Sequence, residues 1–367
     1  MIVARQFIAW KGVERRSVPR FAVKTSSVNC RNALNIAPKA SATGSRFTLH
    51  RMAQVILFLQ QLLNGLSLGS IYALIALGYT MVYGVLRFIN FAHGDVYMLG
   101  AYAGFAITNA IYTIIPLDKF NAISTHTFIP IFVCTAIVML GAMVFCAILG
   151  VAIERIAYRP LRDRPRLTVL ITAIGVSLFL QNMTQFFVGA QPLAFKQLIP
   201  VRAIEGLGDL TVLSSQAAII LSTIVLMVFL RLIVMKTKIG LAMRALSVNP
   251  TACSLMGVNN GLVISFTFAL GSALAAAAGI LVAMDSPSIT PLMGNVPGIK
   301  AFVAAVLGGI GNINGAVVGG LVIGVLETLV EGYGFPQLRD AIAFGVLIII
   351  LIYKPTGLFG RVEREKV

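Results

Sequence analysis

Residues 129–166 read IPIFVCTAIVMLGAMVFCAILGVAIERIAYRPLRDRPR, and this stretch decides the fold. Its first 25 residues hold no charged side chain, and a helix needs only about 20 apolar residues to cross a bilayer. Its last 13 residues carry five arginines, which are Arg155, Arg159, Arg162, Arg164 and Arg166. Because Lys and Arg concentrate in the cytoplasmic loops beside membrane spans, the stretch predicts a span that ends in the cytoplasm.

The composition of the whole chain agrees with a membrane location. Hydrophobic residues make up 58% of the 367 residues, and charged residues make up 11%. Soluble domains carry about 25% charged residues, so this chain lies far outside their range. Several other apolar runs are also long enough to cross a bilayer. We therefore predict an all-α polytopic membrane protein.

The formal net charge is +16, which in a soluble protein would suggest binding to nucleic acid. Residues 1–51 account for much of it, because they hold ten Lys and Arg and one acidic residue. In the apolar part the bases cluster in a few loops, as membrane orientation predicts, so no nucleic-acid partner is expected. The four cysteines lack the spacing of a disulfide or zinc site, and no metal or cofactor is expected.

Residues 1–51 differ in character from the rest of the chain. They are rich in Arg and Ser, and they lack an apolar run long enough for a signal peptide. This composition is typical of a transit peptide, and equally of untranslated sequence ahead of a mis-called start. Met52 begins a plausible complete membrane protein. We expect residues 1–51 to be a disordered extension or a mis-called start, and residues 52–367 to form the membrane domain.

Apolar runs divide the membrane domain into about 7–9 transmembrane helices, some of them interrupted or re-entrant. Besides residues 129–153, the predicted spans are 62–85, 88–115, 168–188, 217–235, 262–284 and 341–353. The arginine-rich loop fixes their direction. It makes residues 116–127 and 189–215 external, and it places residues 236–260 and the C-terminus in the cytoplasm.

One further apolar segment, residues 300–331, is interrupted by GGIGNING. It predicts two half-helices that meet at a glycine-rich break, or a re-entrant pair. Interrupted helices near the bilayer centre often mark a transport path, so Asn312 and Asn314 are expected either to line a path or to end the helices. The break lacks the Lys-Ser/Thr of a phosphate-binding loop, so no nucleotide is expected there. Glu327 lies deep in the apolar run and needs a partner that the sequence does not identify.

Three polar residues stand near the start of the second span. Asn90, His93 and Asp95 follow Arg87 closely, and Gly94 can break the helix between them. Ionisable groups inside apolar segments are costly and are often functional. One interpretation makes the three residues a gate or the lining of a translocation path. The other makes them a cluster that satisfies the backbone of a broken helix.

Residues 236–260 read KTKIGLAMRALSVNPTACSLMGVNN, a polar and basic run between two apolar segments. Asn249 is placed as an N-cap, and Pro250 occupies the first helical position, where its missing N–H has no cost. Gly257 is placed as the C′ glycine. We therefore predict a two-turn helix over residues 250–256, outside the bilayer. It either docks on a partner or lies on the membrane surface.

Four motifs carry a family resemblance, and they are GYTMVYGVLRFINFAHGDVYMLGAYAGF (78–105), IERIAYRPLR (153–162), VLGGIGNINGAVVGG (306–320) and KPTGLFGR (354–361). Together they resemble the LivH-type permease of branched-chain amino acid ABC importers, over about residues 52–367. The resemblance implies the ABC importer permease fold and a bacterial inner-membrane location. It also implies four kinds of partner: a second, LivM-like permease subunit, two ATPase subunits, a periplasmic substrate-binding protein and membrane lipid.

The resemblance also implies a role for residues 236–260, as the loop that couples the permease to the ATPase. The matching positions are Gly240, Arg244, Ala245, Asn249, Pro250, Ala252, Leu255, Met256 and Gly257. A short capped helix fits a groove on a partner, with Leu255 and Met256 as apolar anchors. Arg244 is expected to pair with an acidic residue of the ATPase.

The cargo implied by the resemblance is leucine, isoleucine or valine. Related permeases carry urea or short amides, so those cargoes stay open. A secondary transporter or channel is a second class, but it would leave the capped cytoplasmic helix unexplained. A membrane enzyme is a third class. The sequence shows no catalytic constellation, so no catalytic residue is expected, and ATP must be hydrolysed on other chains.

Overall fold

The computed structural model describes residues 42–114, 129–162, 164–196, 203–204, 210–354 and 356–360. The first 41 residues of the predicted extension, the predicted external loop 116–127 and the basic residues after 360 lie outside this part of the chain. The chain divides between Arg51 and Met52 into two units. The description below concerns the second unit, Met52–Val367.

Helices dominate the described residues. They are α1 Ala42–Leu86, α2 His93–Ile114, α3 Ile129–Ile153, α4 Arg166–Val188, α5 Ser214–Lys236, α6 Lys238–Val248, α7 Pro250–Leu255, α8 Asn260–Asp285, α9 Asn295–Gly308, α10 Ile313–Gly332 and α11 Arg339–Tyr353. A π-helical turn, Glu154–Tyr158, and a 3-10 turn, Arg159–Leu161, prolong α3, and a second 3-10 turn, Pro336–Leu338, precedes α11. The backbone of α1 is already helical at Ala42, inside the predicted extension.

Strands contribute only short antiparallel pairs between helices. In the first pair, β1 Leu193–Ala194 lies beside β4 Ser288–Ile289. In the second, β2 Ala203–Ile204 lies beside β3 Val212–Leu213. Each strand is two residues long, so the predicted all-α class is confirmed.

Seven helices in the described residues are long and apolar enough to cross a membrane. Their ranges are Gln54–Leu86, Val133–Leu161, Leu167–Val188, Ser214–Lys236, Asn260–Asp285, Ile313–Gly332 and Pro336–Tyr353. The polytopic membrane fold is therefore confirmed. The predicted second span differs, because its helix begins only at His93. The interrupted segment forms α9, with 14 residues, and α10, a full-length span of 20 residues.

The helices form an inner and an outer group. Most of α1 and α8 is buried, at 89% and 78% of their most apolar windows, whereas α11 is buried over only 6% of its window. Small residues bring the inner helices together. Gly100 of α2 packs on Ala276 of α8, and Gly320 of α10 packs on Ala73 of α1. Such contacts matter in a membrane, where lipid supplies no hydrophobic force between helices. The outer helices expose apolar side chains suited to lipid.

Several basic segments meet at one end of the bundle, which we call the arginine end. The end of α1 lies there, because the Arg87 guanidinium donates to the carbonyl of Ser247, at the end of α6, over 3.3 Å. The end of α3 reaches the same region, where the Tyr158 hydroxyl donates to Asn90 Oδ1 over 2.6 Å. The turn between α9 and α10 also lies there, since a Cβ on Gly84 would be 3.7 Å from Gly311 Cα.

Candidate functional site

The predicted coupling segment forms two helices rather than one. The six-residue helix α7 begins at Pro250, as predicted. The eleven-residue helix α6 precedes it and was not predicted. A signal for α6 is present in the sequence, because the Thr237 hydroxyl caps it by accepting from the N–H of Gly240 over 3.1 Å. Its buried residues Gly240, Met243 and Leu246 recur at three-residue spacing, as one face of a helix requires.

Both predicted caps of α7 are confirmed. Asn249 Oδ1 accepts from the N–H of Ala252 over 3.0 Å. Gly257 has a φ of 82°, the left-handed conformation that ends helices and that glycine adopts at low cost. The N–H of Val258 then donates to the carbonyl of Cys253 over 3.0 Å. Cys253 is buried and holds the helix against the bundle.

The outer face of α7 carries two large apolar side chains in the open. Leu255 and Met256 are 83% and 84% exposed. The other seven residues of the predicted coupling set differ in burial. Gly240 is buried, and the exposed ones are Arg244, Ala245, Asn249, Pro250, Ala252 and Gly257. Gly240 packs on the carbonyls of Ile233 and Val234, so its role is to turn the chain from α5 into α6. Arg244 is open to an acidic partner.

Asn90, His93 and Asp95 are all buried, but their side chains do not bond to one another in the described structure. Asn90 binds the Tyr158 hydroxyl. The His93 ring packs edge-on against Tyr79, with 4.7 Å between ring centroids. Asp95 Oδ1 accepts from Gln181 Nε2 over 2.7 Å. The three residues therefore fasten the start of α2 to three neighbouring helices.

The start of α2 meets the start of α9 inside the bundle. A Cβ on Gly94 would lie 2.6 Å from the carbonyl oxygen of Gly294, so only glycines allow this approach. Gln181 Nε2 also donates to Asn295 Oδ1 over 2.8 Å, and so bridges the two helix starts. Gln181 stands seven residues before the end of α4, about 10 Å along its axis. The starts of α2 and α9 thus lie beside the inner part of the span α4, not at its end.

The glycine-rich break separates two helices, as predicted. It lies at the arginine end, not near the middle of the spans. Asn312 caps α10, since its Oδ1 accepts from the N–H groups of Asn314 and Gly315 at 3.1 and 3.3 Å. Its Nδ2 donates to the carbonyl of Phe359 over 3.1 Å. Phe359 belongs to residues 356–360, which we call the C-terminal strap. The strap makes a second bond near the break, because the N–H of Leu358 donates to the carbonyl of Leu307. The predicted alternative, a helix-ending role, is confirmed for Asn312. A path-lining role of Asn312 and Asn314 stays a prediction.

Glu327, for which the sequence named no partner, has three. Its Oε2 lies 2.9 Å from Lys300 Nζ and 3.1 Å from Arg339 Nε, and it accepts from the Tyr72 hydroxyl over 3.1 Å. Lys300 reaches Asp340 as well, at 2.6 Å. Both Glu327 and Lys300 are buried. The network joins α1, α9, α10 and α11 inside the apolar bundle.

A polar cleft of about 540 Å³ opens at the other end of the bundle. Residues that line it include Gln60, Asn64, Ser67, Gln216, Asp285 and Arg339. Amide hydrogen bonds shape one wall, because Gln60 and Gln216 both donate to Asn64 Oδ1, at 3.3 and 2.9 Å. Gln60 also exchanges two bonds with the backbone of Thr211, just before β3. The chain thus presents the exposed apolar helix α7 at one end and a polar opening at the other.

A comparison with known families gives this geometry a context. The family model for the permease component of the branched-chain amino acid transport system matches residues 61–351. The chain belongs to this permease family. Membership and the seven apolar helices together make it a multi-pass membrane transport protein rather than an enzyme.

Individual relatives support the same assignment. The permease is 42% identical to the high-affinity branched-chain amino acid permease protein LivH of Salmonella typhimurium, over 86% of this chain and 99% of that protein. It is 41% identical to BraD of Pseudomonas aeruginosa, over 86% of this chain and 100% of that protein. It is also 25% identical to the ribose import permease protein RbsC of Haemophilus influenzae, over 79% of this chain and 83% of that protein. The predicted LivH-type resemblance is confirmed.

The sequence analysis did not identify Gln181 and Asn295, the polar residues that join the start of α2 to the start of α9. One signal for them exists. The triplet Gly94-Asp95-Val96 at the start of α2 is matched by Gly294-Asn295-Val296 at the start of α9. The two triplets share the glycine and the valine, and each has a polar residue between them, which is a weak sequence signal for similar helix starts. The charge partners of Glu327 had no such signal in the sequence.

Proposed function

We propose that this permease is one subunit of a bacterial ABC importer that carries leucine, isoleucine or valine across the inner membrane. A periplasmic binding protein delivers the amino acid, and a second, LivM-like permease subunit completes the path. Two ATPase subunits hydrolyse ATP on the cytoplasmic side, where the C-terminus of the permease lies. The catalytic work of ATP hydrolysis takes place on those separate chains.

The observation that carries the proposal is the exposed apolar pair Leu255 and Met256 on the capped helix α7. Apolar anchors on a short helix suit a groove in a protein partner. The pair lies at the arginine end, which the concentration of Lys and Arg favours as cytoplasmic. An ATPase that docks there is therefore on the side where ATP is available.

A hydrogen bond supports a route from this surface to the interior. Arg87 binds the carbonyl of Ser247 at the end of α6. Its own φ of 55° is in the left-handed region, which is strained for a residue with a side chain. Residues 87–92 are not helical, and they connect α1 to His93, where α2 begins. A shift of α6 and α7 by the ATPase moves Arg87, and with it the start of α2.

The start of α9 supports a path beside the second permease subunit. Leu292, Asn295, Val296 and Ile299 are exposed on one face of this region. Residues 290–294 precede α9 and are not helical. Non-helical backbone at membrane depth is stable only when protein covers it or water fills a cavity beside it. The second subunit covers this face, and the amino acid passes along it.

A docking experiment tests the coupling role. We expect L255A/M256A to weaken ATPase binding to the purified permease by about tenfold, because buried apolar anchors dominate many interfaces. Leucine uptake into reconstituted vesicles should fall in parallel. Phe186→Ala is the matched control, since Phe186 is 81% exposed but lies on α4 near its far end. Undiminished ATPase binding and uptake in the double variant would exclude α7 as the coupling element.

Uptake measurements test the cargo. The complete complex with its binding protein should take up labelled leucine in an ATP-dependent manner. An excess of unlabelled urea should not reduce that uptake, and labelled urea should not be taken up. Uptake of urea without leucine would assign the other cargo class. Leucine uptake that needs no ATPase would instead indicate a secondary transporter.

A further inference from the structure

The polar cleft is well suited in size and placement to hold a small ligand. Its volume of about 540 Å³ falls within the range of about 300–1,000 Å³ that is usual for small-molecule sites. It opens at the end opposite the coupling surface, and so faces the side from which cargo arrives in the proposed function. Five helices (α1, α5, α8, α10 and α11) and the segment at β3 contribute to it, which makes it a built opening rather than a gap between two side chains.

Charges of both signs line the cleft. Arg339 has five N–H donors on its guanidinium, and its Nε and Nη1 atoms bind Glu327 and Glu331 at 3.1 Å each. The buried Glu327 fixes the guanidinium from behind, while the side chain keeps 35% of its surface exposed. Asp285, at the end of α8, and Glu331 supply carboxylates to the same opening. A ligand with one positive and one negative group would match this set.

An unsatisfied hydroxyl in the wall of the cleft points to a ligand independently. Ser67 is 4% exposed, and its hydroxyl has no hydrogen-bond partner within the described part of the chain. A buried hydroxyl without a partner is destabilising. The hydroxyl oxygen is covered in this structure, so a bound polar ligand would supply the missing bond once the Ser67 side chain turns toward the cleft. Apolar surface is present too, because Leu68 and Leu213 also line the cleft.

We propose that this cleft binds the amino acid itself as a zwitterion, at the outer mouth of the permease. Arg339 receives the carboxylate, Asp285 and Glu331 receive the ammonium group, and Ser67 donates to the carboxylate. Leu68 and Leu213 contact the aliphatic side chain. This inference rests on the proposed function for its cargo class and for the side of the membrane.

Ligand analogues test the inference on the complete permease complex in lipid nanodiscs, without the binding protein. L-leucine should bind measurably. Leucinamide lacks the carboxylate and 4-methylpentanoate lacks the ammonium group, so both should bind at least about tenfold more weakly, since each loses a charged hydrogen-bonding group. Equal binding of leucine and 4-methylpentanoate would overturn the inference. So would the absence of leucine binding above that of empty nanodiscs.

Two variants separate ligand binding from structural effects. We expect Asp285→Asn and Ser67→Ala each to weaken leucine binding by about fivefold to tenfold. Ser67→Ala should leave the apparent melting temperature unchanged or raise it, because the lost hydroxyl bonds to nothing in the described protein. Thr80→Val is the matched control. Thr80 lies on the same helix, and its buried hydroxyl also lacks a partner among the described residues, but it does not line the cleft.

Two further outcomes are decisive. If the variants weaken docking of the substrate-free binding protein and leave leucine affinity intact, the cleft is a protein-docking surface and the inference fails. Suppose instead that the unaltered complex transports leucine normally and that the cleft variants bind leucine with unchanged affinity. The inference then fails, and the proposed function stands. Failure of ATP-driven leucine uptake in the unaltered complex would instead remove the proposed function.

Discussion

Glu327 holds together residues that would be unstable in the bundle without it. Lys300 is 2% exposed and Glu327 is fully buried, so neither charge can be solvated by water. Tyr72 and Arg339 bind the same carboxylate oxygen. A buried charge that loses its partner costs about 3–5 kcal/mol, far more than a surface ion pair contributes.

We expect Glu327→Ala to lower the apparent melting temperature of the purified permease strongly. The reason is that, among the described residues, Lys300 would keep only Asp340 as an anionic partner. The double variant Glu327→Leu/Lys300→Met should be more stable than Glu327→Ala, because it removes both buried charges. Glu331→Gln is the control, since Glu331 is 48% exposed and its pair with Arg339 should contribute no more than about 1 kcal/mol. Equal melting of Glu327→Ala and Glu331→Gln would contradict this account.

The sequence alone raised the question of Glu327 but did not answer it. An acidic residue inside an apolar run signals a partner by its cost alone. The identity of the partner depends on how α9, α10 and α11 pack, and no local pattern encodes that. Lys300 lies at the start of the predicted apolar segment, where it resembles an ordinary flanking base.

At the scale of elements, the starts of α2 and α9 form a contact between two distant parts of the chain. Here α2 and α9 begin inside the bundle, and Gly94 and Gly294 bring their starts into backbone contact. Gln181 binds the polar residue that follows each glycine. Gln181 therefore links the two helix starts directly.

We expect Gly94→Ala to destabilise the permease by about 1–3 kcal/mol, because the new methyl group would press on the carbonyl of Gly294. Leucine uptake should fall with it. Gly175→Ala is the matched control, because a Cβ there meets no atom within 4 Å. That variant should be neutral or slightly stabilising, since alanine favours helix more than glycine does. Thermal unfolding and uptake of the two variants side by side check both expectations. A stable, active Gly94→Ala would show that the contact is loose.

Local signals explain which elements could be predicted. The caps of α7 depend on Asn249, Pro250 and Gly257, all within eight residues of one another, and the prediction there was right. The glycine-rich run also predicted an interruption correctly. Its depth was not predicted, because depth follows from the packing of α9 against α10 and from the C-terminal strap. The meeting of α2 and α9 joins segments about 200 residues apart, and a single sequence carries such long-range pairings only weakly.

At the scale of the whole molecule, the two ends differ in chemistry. The arginine end carries the exposed apolar helix α7, and the other end carries the polar cleft. Span count and fold class followed from the composition and the length of the apolar runs. The direction of insertion followed from five arginines in one loop, and it stays a prediction until it is measured.

Cysteine labelling checks that direction. We expect Gln191→Cys, at an exposed position after α4, to react with a membrane-impermeant maleimide in intact cells. Thr251→Cys, at an exposed position on α7, should react only after the membrane is permeabilised. The unaltered protein is the control, because two of its cysteines, Cys146 and Cys253, are buried. The reverse pattern would invert the topology and place the cleft on the cytoplasmic side.

The C-terminal strap has a consequence for the order of biosynthesis. Asn312 and its partner Phe359 are 47 residues apart. A ribosome adds about 5–20 residues per second, so the partner is made about 2–9 s after Asn312. During that interval the carbonyls of Leu307 and Gly308 lack the N–H donors of Leu358 and Phe359 that bind them in the folded protein. The hydrogen bonds between the C-terminal strap and the turn between α9 and α10 therefore form only late in the synthesis of the membrane domain.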